Sequence, residues 1–338
     1  LTEALLKEIR LRQEYLGDEQ VDTIYFGGGT PSLLSIAELQ SIISQLRESF
    51  TVAQNVEITL EANPDDITEE QLTGWKKAGI NRLSIGIQSF FEEDLQWMNR
   101  AHNAQQAIDN LRLAKNHFDN ITIDLIYGTP QLTDEKWKHN VDTAIALQIP
   151  HLSCYALTVE PKTPLQKMIA QHKSENINPD KQSEQFLLLM QWLQQAGYEH
   201  YEISNFAIPG SRSRHNSSYW QGKNYLGLGP SAHSFNQTSR QWNVANNSLY
   251  IQSINNGIIP FEKEELTAEQ RLNEYIMTSL RTSEGLDLRR IALSEQTRIL
   301  GESNKYLEQG LMRKENDFLI LTKEGKLLAD GIAADLFS

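Results

Sequence analysis

The feature that most restricts the fold is an alternation of strand-like and helix-like runs. Short apolar and β-branched runs occur at 22–26, 55–61, 81–88, 120–127, 151–157 and 199–204. Helical spacing fills the gaps at 36–49, 68–77, 104–117, 134–147 and 179–195. Strands separated by helix-length crossovers pair in parallel, which predicts an α/β chain built on a parallel sheet, open or closed. A barrel or part of one is favoured, because polar residues collect where successive strands end: glycines after the first, Glu61 on the second, Gln88 on the third and Asp124 on the fourth. Both barrels and doubly wound sheets take their ligands at that end.

The first strand runs Thr23-Ile24-Tyr25-Phe26 and breaks into Gly27-Gly28-Gly29-Thr30-Pro31. Glycine has no Cβ, so three in succession expose N–H and C=O groups to close approach and permit φ values that other residues avoid. A tight turn alone needs only one. Asp124, flanked by Ile121, Ile123, Leu125 and Ile126, is costly inside a sheet unless something pairs with it. For Asp124 and Glu61 taken singly, a structural partner and a ligand are equally good explanations.

The 44 acidic and 31 basic residues give a net charge of -13, a poor footprint for a partner that is itself a polyanion, so nucleic acid is disfavoured. No apolar run approaches the ~20 residues that span a bilayer and no signal peptide is visible, which places the chain in the cytoplasm. Cys154 is the single cysteine, so the chain can form neither an internal disulfide nor a cysteine-only metal site. Its apolar neighbours make it a core residue.

Residues 1–16 have helical spacing but no preceding strand. Since a parallel sheet returns each helix from a strand, a first strand and its loop are expected upstream. Residues 208–236 read as a long loop without periodicity, rich in Gly, Pro, Ser and Asn, its Tyr219, Trp220, Tyr225 and Phe235 arguing for order. After residue 247 the pattern is helical through 266–280, 286–293 and 297–309; a hairpin at 311–314 and 318–322 and a last helix from Glu324 follow. Helices followed by a hairpin suggest a winged-helix-like unit, with a packing or lid role in so acidic a chain. The expected division is 1–236 and 237–338.

Five ordered motifs carry a resemblance: Tyr25 to Pro31, Glu61-Ala62-Asn63-Pro64, Asn81 to Phe90, Arg100 with His102, and Ile123 to Gly128. They resemble the radical S-adenosylmethionine (SAM) enzymes of the oxygen-independent coproporphyrinogen III oxidase type. A second set, Tyr201 to Ala207, His215-Asn216-Ser217-Ser218-Tyr219-Trp220, Tyr225 to Gly229 and Ala232-His233, is similar to the haem-chaperone (HemW) branch of that family. The resemblance implies a partial (β/α)6 radical SAM-type barrel with a smaller C-terminal helical, winged-helix-like domain. It implies a SAM site at Gly28, Gly29, Thr30, Glu61, Gln88, Arg100 and Asp124, the Arg100 guanidinium facing the methionine carboxylate.

It further implies a haem site at His215, Tyr219 and Trp220, with His215 as the iron ligand, Arg212 or Arg214 on the propionates, and His233 structural or inward-facing. The family's 4Fe-4S cluster is held by a CxxxCxxC loop after the first strand. That loop is absent from these residues and would stand just before Leu1, so the cluster is expected only with an upstream segment. The expected partners are haem and haem-accepting apoproteins, the membrane surface included, with a homodimer allowed. Three function classes follow: a haem chaperone on a SAM-type barrel, a radical SAM coproporphyrinogen oxidase, and a nucleic-acid binder using the C-terminal unit. Haem binding without coproporphyrinogen conversion separates the first two, and salt-dependent DNA binding would mark the third.

Overall fold

The strand and helix runs of the first half form where their patterns predict. The computed structural model describes residues 1–171 and 175–338. Helix α1 (Thr2–Leu11) precedes β1 (Val21–Phe26) and α2 (Ile36–Ser49); β2 (Val52–Ala62), α3 (Glu69–Ala78), β3 (Arg82–Gln88), α4 (Glu92–Trp97) and α5 (Ala104–Lys115) follow. Then come β4 (Ile121–Tyr127), α6 (Asp134–Ala146), β5 (His151–Ala156), α7 (Pro164–Ala170) and α8 (Pro179–Gln195). Local chemistry sets the ends. Ser35 and Glu38 form a reciprocal capping box at the start of α2, and α3 stops at Gly79, whose φ of 104° suits a residue without a Cβ. Leu72 and Trp75 of α3 are fully buried against the sheet.

Strands β1 to β5 pair in parallel and in order. The sixth run, expected at 199–204, forms the shorter β6 (Glu199–Glu202), and an unexpected β7 (Asn205–Ala207) follows it. The Glu202 carboxylate accepts from the Ser204 N–H and the Asn205 amide, which holds the chain in a reversal that continuous apolar spacing conceals. β7 folds back antiparallel between β5 and β6, so β6 runs with the first five. The sheet curls. Arg212 pairs with Glu199 on β6 while His215 bonds Thr23 on β1, so three residue steps, at most about 10 Å of chain, connect the two outermost strands. The product is a partial barrel with its helices outside.

Residues 208–236, expected as an ordered loop, hold regular elements as well. They contain α9 (Arg214–Trp220) and β8 (His233–Phe235). Helix α9 has no apolar stripe to announce it; its first amides are met by Ser213 and by the Glu57 carboxylate from β2. β8 opens a meander with β9 (Ser239–Asn243) and β10 (Phe261–Glu265), α10 (Asn247–Asn255) lying between the last two. β10 leaves no strand signal in the sequence because Phe-Glu-Lys-Glu-Glu has no apolar face. The 236/237 division falls in the β8–β9 turn.

The C-terminal unit comprises α11 (Ala268–Leu280), β11 (Leu286–Asp287), α12 (Leu293–Glu308), β12 (Met312–Glu315), β13 (Phe318–Leu321), α13 (Lys323–Lys326) and α14 (Ala329–Asp335). Its three strands pair antiparallel in the order β11-β13-β12, the winged-helix-like arrangement. Residues 286–293, expected as helix, instead pair Leu286 with Leu319 and then make one 3-10 turn. The last helix is broken into α13 and α14. Among the described residues no helix is long and apolar enough to cross a membrane.

One buried carboxylate ties α1 to the meander. Glu8, fully buried, accepts from the Gly229 N–H (2.8 Å), the Asn243 amide (2.7 Å) and the Tyr250 hydroxyl (2.5 Å). Arg12, also buried, stands 3.6 Å away and donates to Gln241 and Asn243. Removing one member leaves the other charge uncompensated, a loss of roughly 3–5 kcal/mol. Glu8→Ala is therefore expected to lower the unfolding free energy obtained from urea denaturation by an amount in that range, and Glu8→Gln, which keeps hydrogen-bonding capacity, by less.

Candidate functional site

Side chains of a strand alternate faces, so Thr23 and Tyr25 of β1 share one side, and the parallel register sets them against Glu57 and Thr59 of β2. Glu61, two residues further on, meets Tyr25. The Tyr25 hydroxyl donates to Glu61 Oε1 at 2.8 Å, and the Gly28 N–H donates to Oε2 at 3.2 Å. Burial, with the Glu61 charge beside it, pushes the Tyr25 hydroxyl up and keeps it a neutral donor. The three glycines have different reasons. A Cβ on Gly27 would lie 2.7 Å from the Tyr25 ring and 3.0 Å from Glu61 Oε1. Gly28 and Gly29 have φ of 73° and 66° and would meet nothing within 4 Å, so their backbone faces open space in a conformation glycine allows. Thr30 is exposed beside them.

Gln88 and Arg100 converge at the end of β3. Gln88 carries φ 69°, a left-handed conformation rare outside glycine, where the β3–β4 register shifts. The Arg100 guanidinium donates to Asn63 Oδ1 at 3.3 Å and the Gly86 carbonyl at 3.1 Å. A Cβ on Gly86 would stand 2.9 Å from the Gln88 amide nitrogen and 3.1 Å from Arg100 Nη2, so glycine there makes room for both. Asp124 looks into the same barrel. Burial pushes its carboxyl up to about 7 and the Glu61 charge adds to the rise, opposed by Ser153, Arg100 and Arg82. Near neutral pH it can accept or donate a hydrogen bond.

His215 was expected in an accessible polar loop. It instead starts α9, half-buried against β1. Thr23 Oγ1 stands 2.8 Å from Nδ1 and the Tyr219 hydroxyl 3.1 Å from Nε2. The imidazole stacks on Tyr25, centroids 4.7 Å apart and planes 20° apart. Burial lowers its pKa to about 4, so it is neutral at pH 7. Tyr219 meets the ring edge-on at 5.0 Å. Trp220 turns away, with the Arg281 guanidinium 5.1 Å from its ring centre. Arg212 is engaged by Glu199 and Glu284, whereas Arg214 and Lys223 flank Asp22 at 3.9 and 3.6 Å. His233, expected inward, is exposed and faces Trp242.

A cavity of about 1550 Å³ runs from the glycines along β1 to α9, lined by Glu61, Arg214, His215, Tyr219 and Lys223 among others. Its glycine end offers exposed peptide groups and a carboxylate, the donors and acceptors that an amino acid and a ribose diol require. The α9 end offers a neutral imidazole, aromatic rings and cations. Cys154 is buried and its thiol pushed up by burial. No group of three or more His, Cys, Asp or Glu capable of holding a metal occurs among the described residues, so these residues do not fit an iron–sulfur cluster. The sequence reading omits Thr23, Tyr25, Glu57, Asn63 and Gly86 from the site; counting back from Gly27 in steps of two finds Tyr25 and Thr23.

Residues 2–144 match the family model described as the radical SAM superfamily, and residues 266–328 match the HemN C-terminal domain. The heme chaperone HemW of Mycobacterium tuberculosis is 33% identical over 335 residues, covering 98% of this chain and 85% of that protein. The heme chaperone HemW of Bacillus subtilis is 32% identical, covering 94% of this chain and 85% of that protein. Among solved structures, coproporphyrinogen III oxidase (HemN) from Escherichia coli superposes with a TM-score of 0.83 at 23% identity, over 99% of this chain and 82% of that one, a likeness of fold. The chain belongs to the HemW family within the radical SAM superfamily.

Proposed function

We propose that the chain binds haem and hands it to acceptor proteins, on a barrel that also holds SAM. The observation that carries the reading is His215: a neutral imidazole at the wall of a large cavity, next to exposed Tyr219 and with two cations, Arg214 and Lys223, on the same helix and the turn after it. Neutral imidazole is a common axial ligand of haem iron, aromatic rings pack on porphyrin faces, and cations pair with propionates. Trp220, held against Arg281, has no part in this site, and Arg212, which also lines the cavity, is paired with Glu199 and Glu284. Delivery takes place in the cytoplasm or at the inner face of a membrane; a homodimer is compatible with it.

At the other end, Gly28, Gly29 and Thr30 would hold the amino and carboxyl groups of SAM, with Arg100 as carboxylate partner, and Glu61, Gln88 and Asp124 would receive the hydroxyl and amine donors. SAM bound to such a barrel supplies radical chemistry together with a cluster. The described residues supply no set of thiolates for that cluster. Within the chain, Tyr25 orients Glu61, and Glu61 holds the Gly28 peptide until a ligand competes for it.

Two measurements test the halves separately. Haem titration of wild-type protein is expected to give a Soret band that shifts and weakens at least tenfold in affinity in His215→Ala and much less in His233→Ala, without conversion of coproporphyrinogen III. An unchanged His215→Ala spectrum would end the ligand assignment. Gly28→Val is expected to abolish SAM binding measured by calorimetry on protein carrying its cluster. Gly197→Val, also left-handed (φ 85°) but in the turn before β6, carries comparable backbone strain and is expected to retain it. Unchanged SAM affinity in a folded Gly28→Val variant would mean the glycines only shape a turn.

A further inference from the structure

Both ring nitrogens of His215 are occupied by hydroxyls of different character. A neutral imidazole has one donor and one acceptor nitrogen, so the two contacts cannot be of the same kind. Thr23 and Tyr219 can each donate or accept, but a phenol is the more acidic hydroxyl and the better donor. The favoured arrangement has Tyr219 donating to Nε2, with Nδ1–H donating to Thr23. A turn of the ring about χ2 would put Cδ2 and Cε1 against these hydroxyls in place of the two nitrogens, so both contacts hold the ring in one orientation, stacked on Tyr25 at 4.7 Å.

The two hydroxyls also differ in freedom. Thr23 sits within β1, whose register is fixed by β2. Tyr219 is 41% exposed, follows His215 by four residues on the same helical face, and is otherwise held by an edge contact with Tyr225 at 4.8 Å.

We propose that Thr23 sets the tautomer of His215 so that Nε2 carries the lone pair, and that the Tyr219 hydroxyl covers this lone pair until iron displaces it. Thr23 is thus a positioning residue and Tyr219 a latch. This deepens the haem-binding reading and rests on it. It gives a physical reason for the spacing of His215 and Tyr219: a residue four positions on is the one a helix brings to the imidazole edge. It also means that ligation costs a hydrogen bond the apoprotein already has, so the latch weakens binding while protecting the nitrogen.

Ferric haem titration of near-isosteric variants, with stopped-flow association rates and electron paramagnetic resonance, tests this. Tyr219→Phe removes the competing donor and keeps the ring; it is expected to associate faster and bind roughly two- to tenfold tighter, the net worth of one neutral hydrogen bond. Thr23→Val is expected to bind more weakly with an altered low-spin signal, and Thr23→Ser to restore both. Urea midpoints within error of wild type confirm that the folds are intact. If Tyr219→Phe binds no tighter, or more weakly, the latch is wrong and the phenol instead helps hold haem. If Thr23→Val keeps the wild-type signal and affinity, Thr23 does not position the ring. Both results refute this proposal while His215→Ala still loses the Soret band; if His215→Ala keeps that band, the haem-ligand reading fails first.

Discussion

The register between β1 and β2 is the constraint on which the rest depends. With Thr23 opposite Glu57 and Tyr25 opposite Thr59, the inward faces of two adjacent strands present a hydroxyl, a carboxylate, a phenol and, one step on, the Glu61 carboxylate. Glu57 takes the first amides of α9, Thr23 takes one nitrogen of His215, Tyr25 takes its face, and Glu61 takes Tyr25 and the Gly28 peptide. A slip of one residue in a strand reverses every side chain. It would send Ile24 and Ile58 into this polar wall and break both ends of the cavity at once. The glycine site and the imidazole are therefore parts of one hydrogen-bonded and stacked assembly.

The barrel interior is correspondingly polar, and it tolerates that because its larger polar groups are paired, although the Thr59 hydroxyl is not. Arg82 is almost fully buried, donating to Asn120 and Thr122, and Thr122 lies 3.1 Å from His151, whose other nitrogen is 2.7 Å from the Tyr201 hydroxyl. Burial drives His151 well below the usual histidine range, a fall that the Arg82 charge deepens, so it stays neutral. Burial also lowers Arg82, opposed by Glu57. Buried charges that keep partners and hydrogen bonds contribute definition to a structure more than net stability, and here they leave Asp124 and Glu61 at the mouth as the carboxylates with capacity to spare. The cost of Asp124 within an apolar run is met in part: its raised pKa lets the ligand-free site hold a proton in place of a second negative charge beside Glu61.

What the sequence discloses is what its periodicity encodes. Helices α2 and α8 and the five parallel strands follow from apolar spacing, and the glycines, Glu61, Gln88, Arg100 and Asp124 from their positions at strand ends. What it hides depends on contacts between distant segments. Helix α9 is Arg-His-Asn-Ser-Ser-Tyr-Trp, weak in helix formers, and its Arg214 and His215 amides are met by a carboxylate 157 and 158 positions away. β10 has no apolar side, and the Glu202 reversal that splits β6 from β7 is a side-chain event inside an otherwise strand-like run. His215 looked accessible because its neighbours in sequence are polar; its neighbours in space are β1 and Tyr25.

The His215 to Trp220 box then serves two directions from one short helix. Tyr219, four residues after His215, points back to the imidazole edge. Trp220, one residue further, is rotated by about 100° and receives Arg281, which caps the end of α11 and also pairs with Glu202 at the end of β6 and with Asp330 of α14. Arg212, just before the helix, reaches Glu199 and Glu284, again linking the last strand of the barrel to the C-terminal unit. A displacement of α9 that moved the imidazole would therefore strain the contacts of Trp220 and Arg212 with β6 and α11. The C-terminal unit thus braces the helix that carries the candidate ligand.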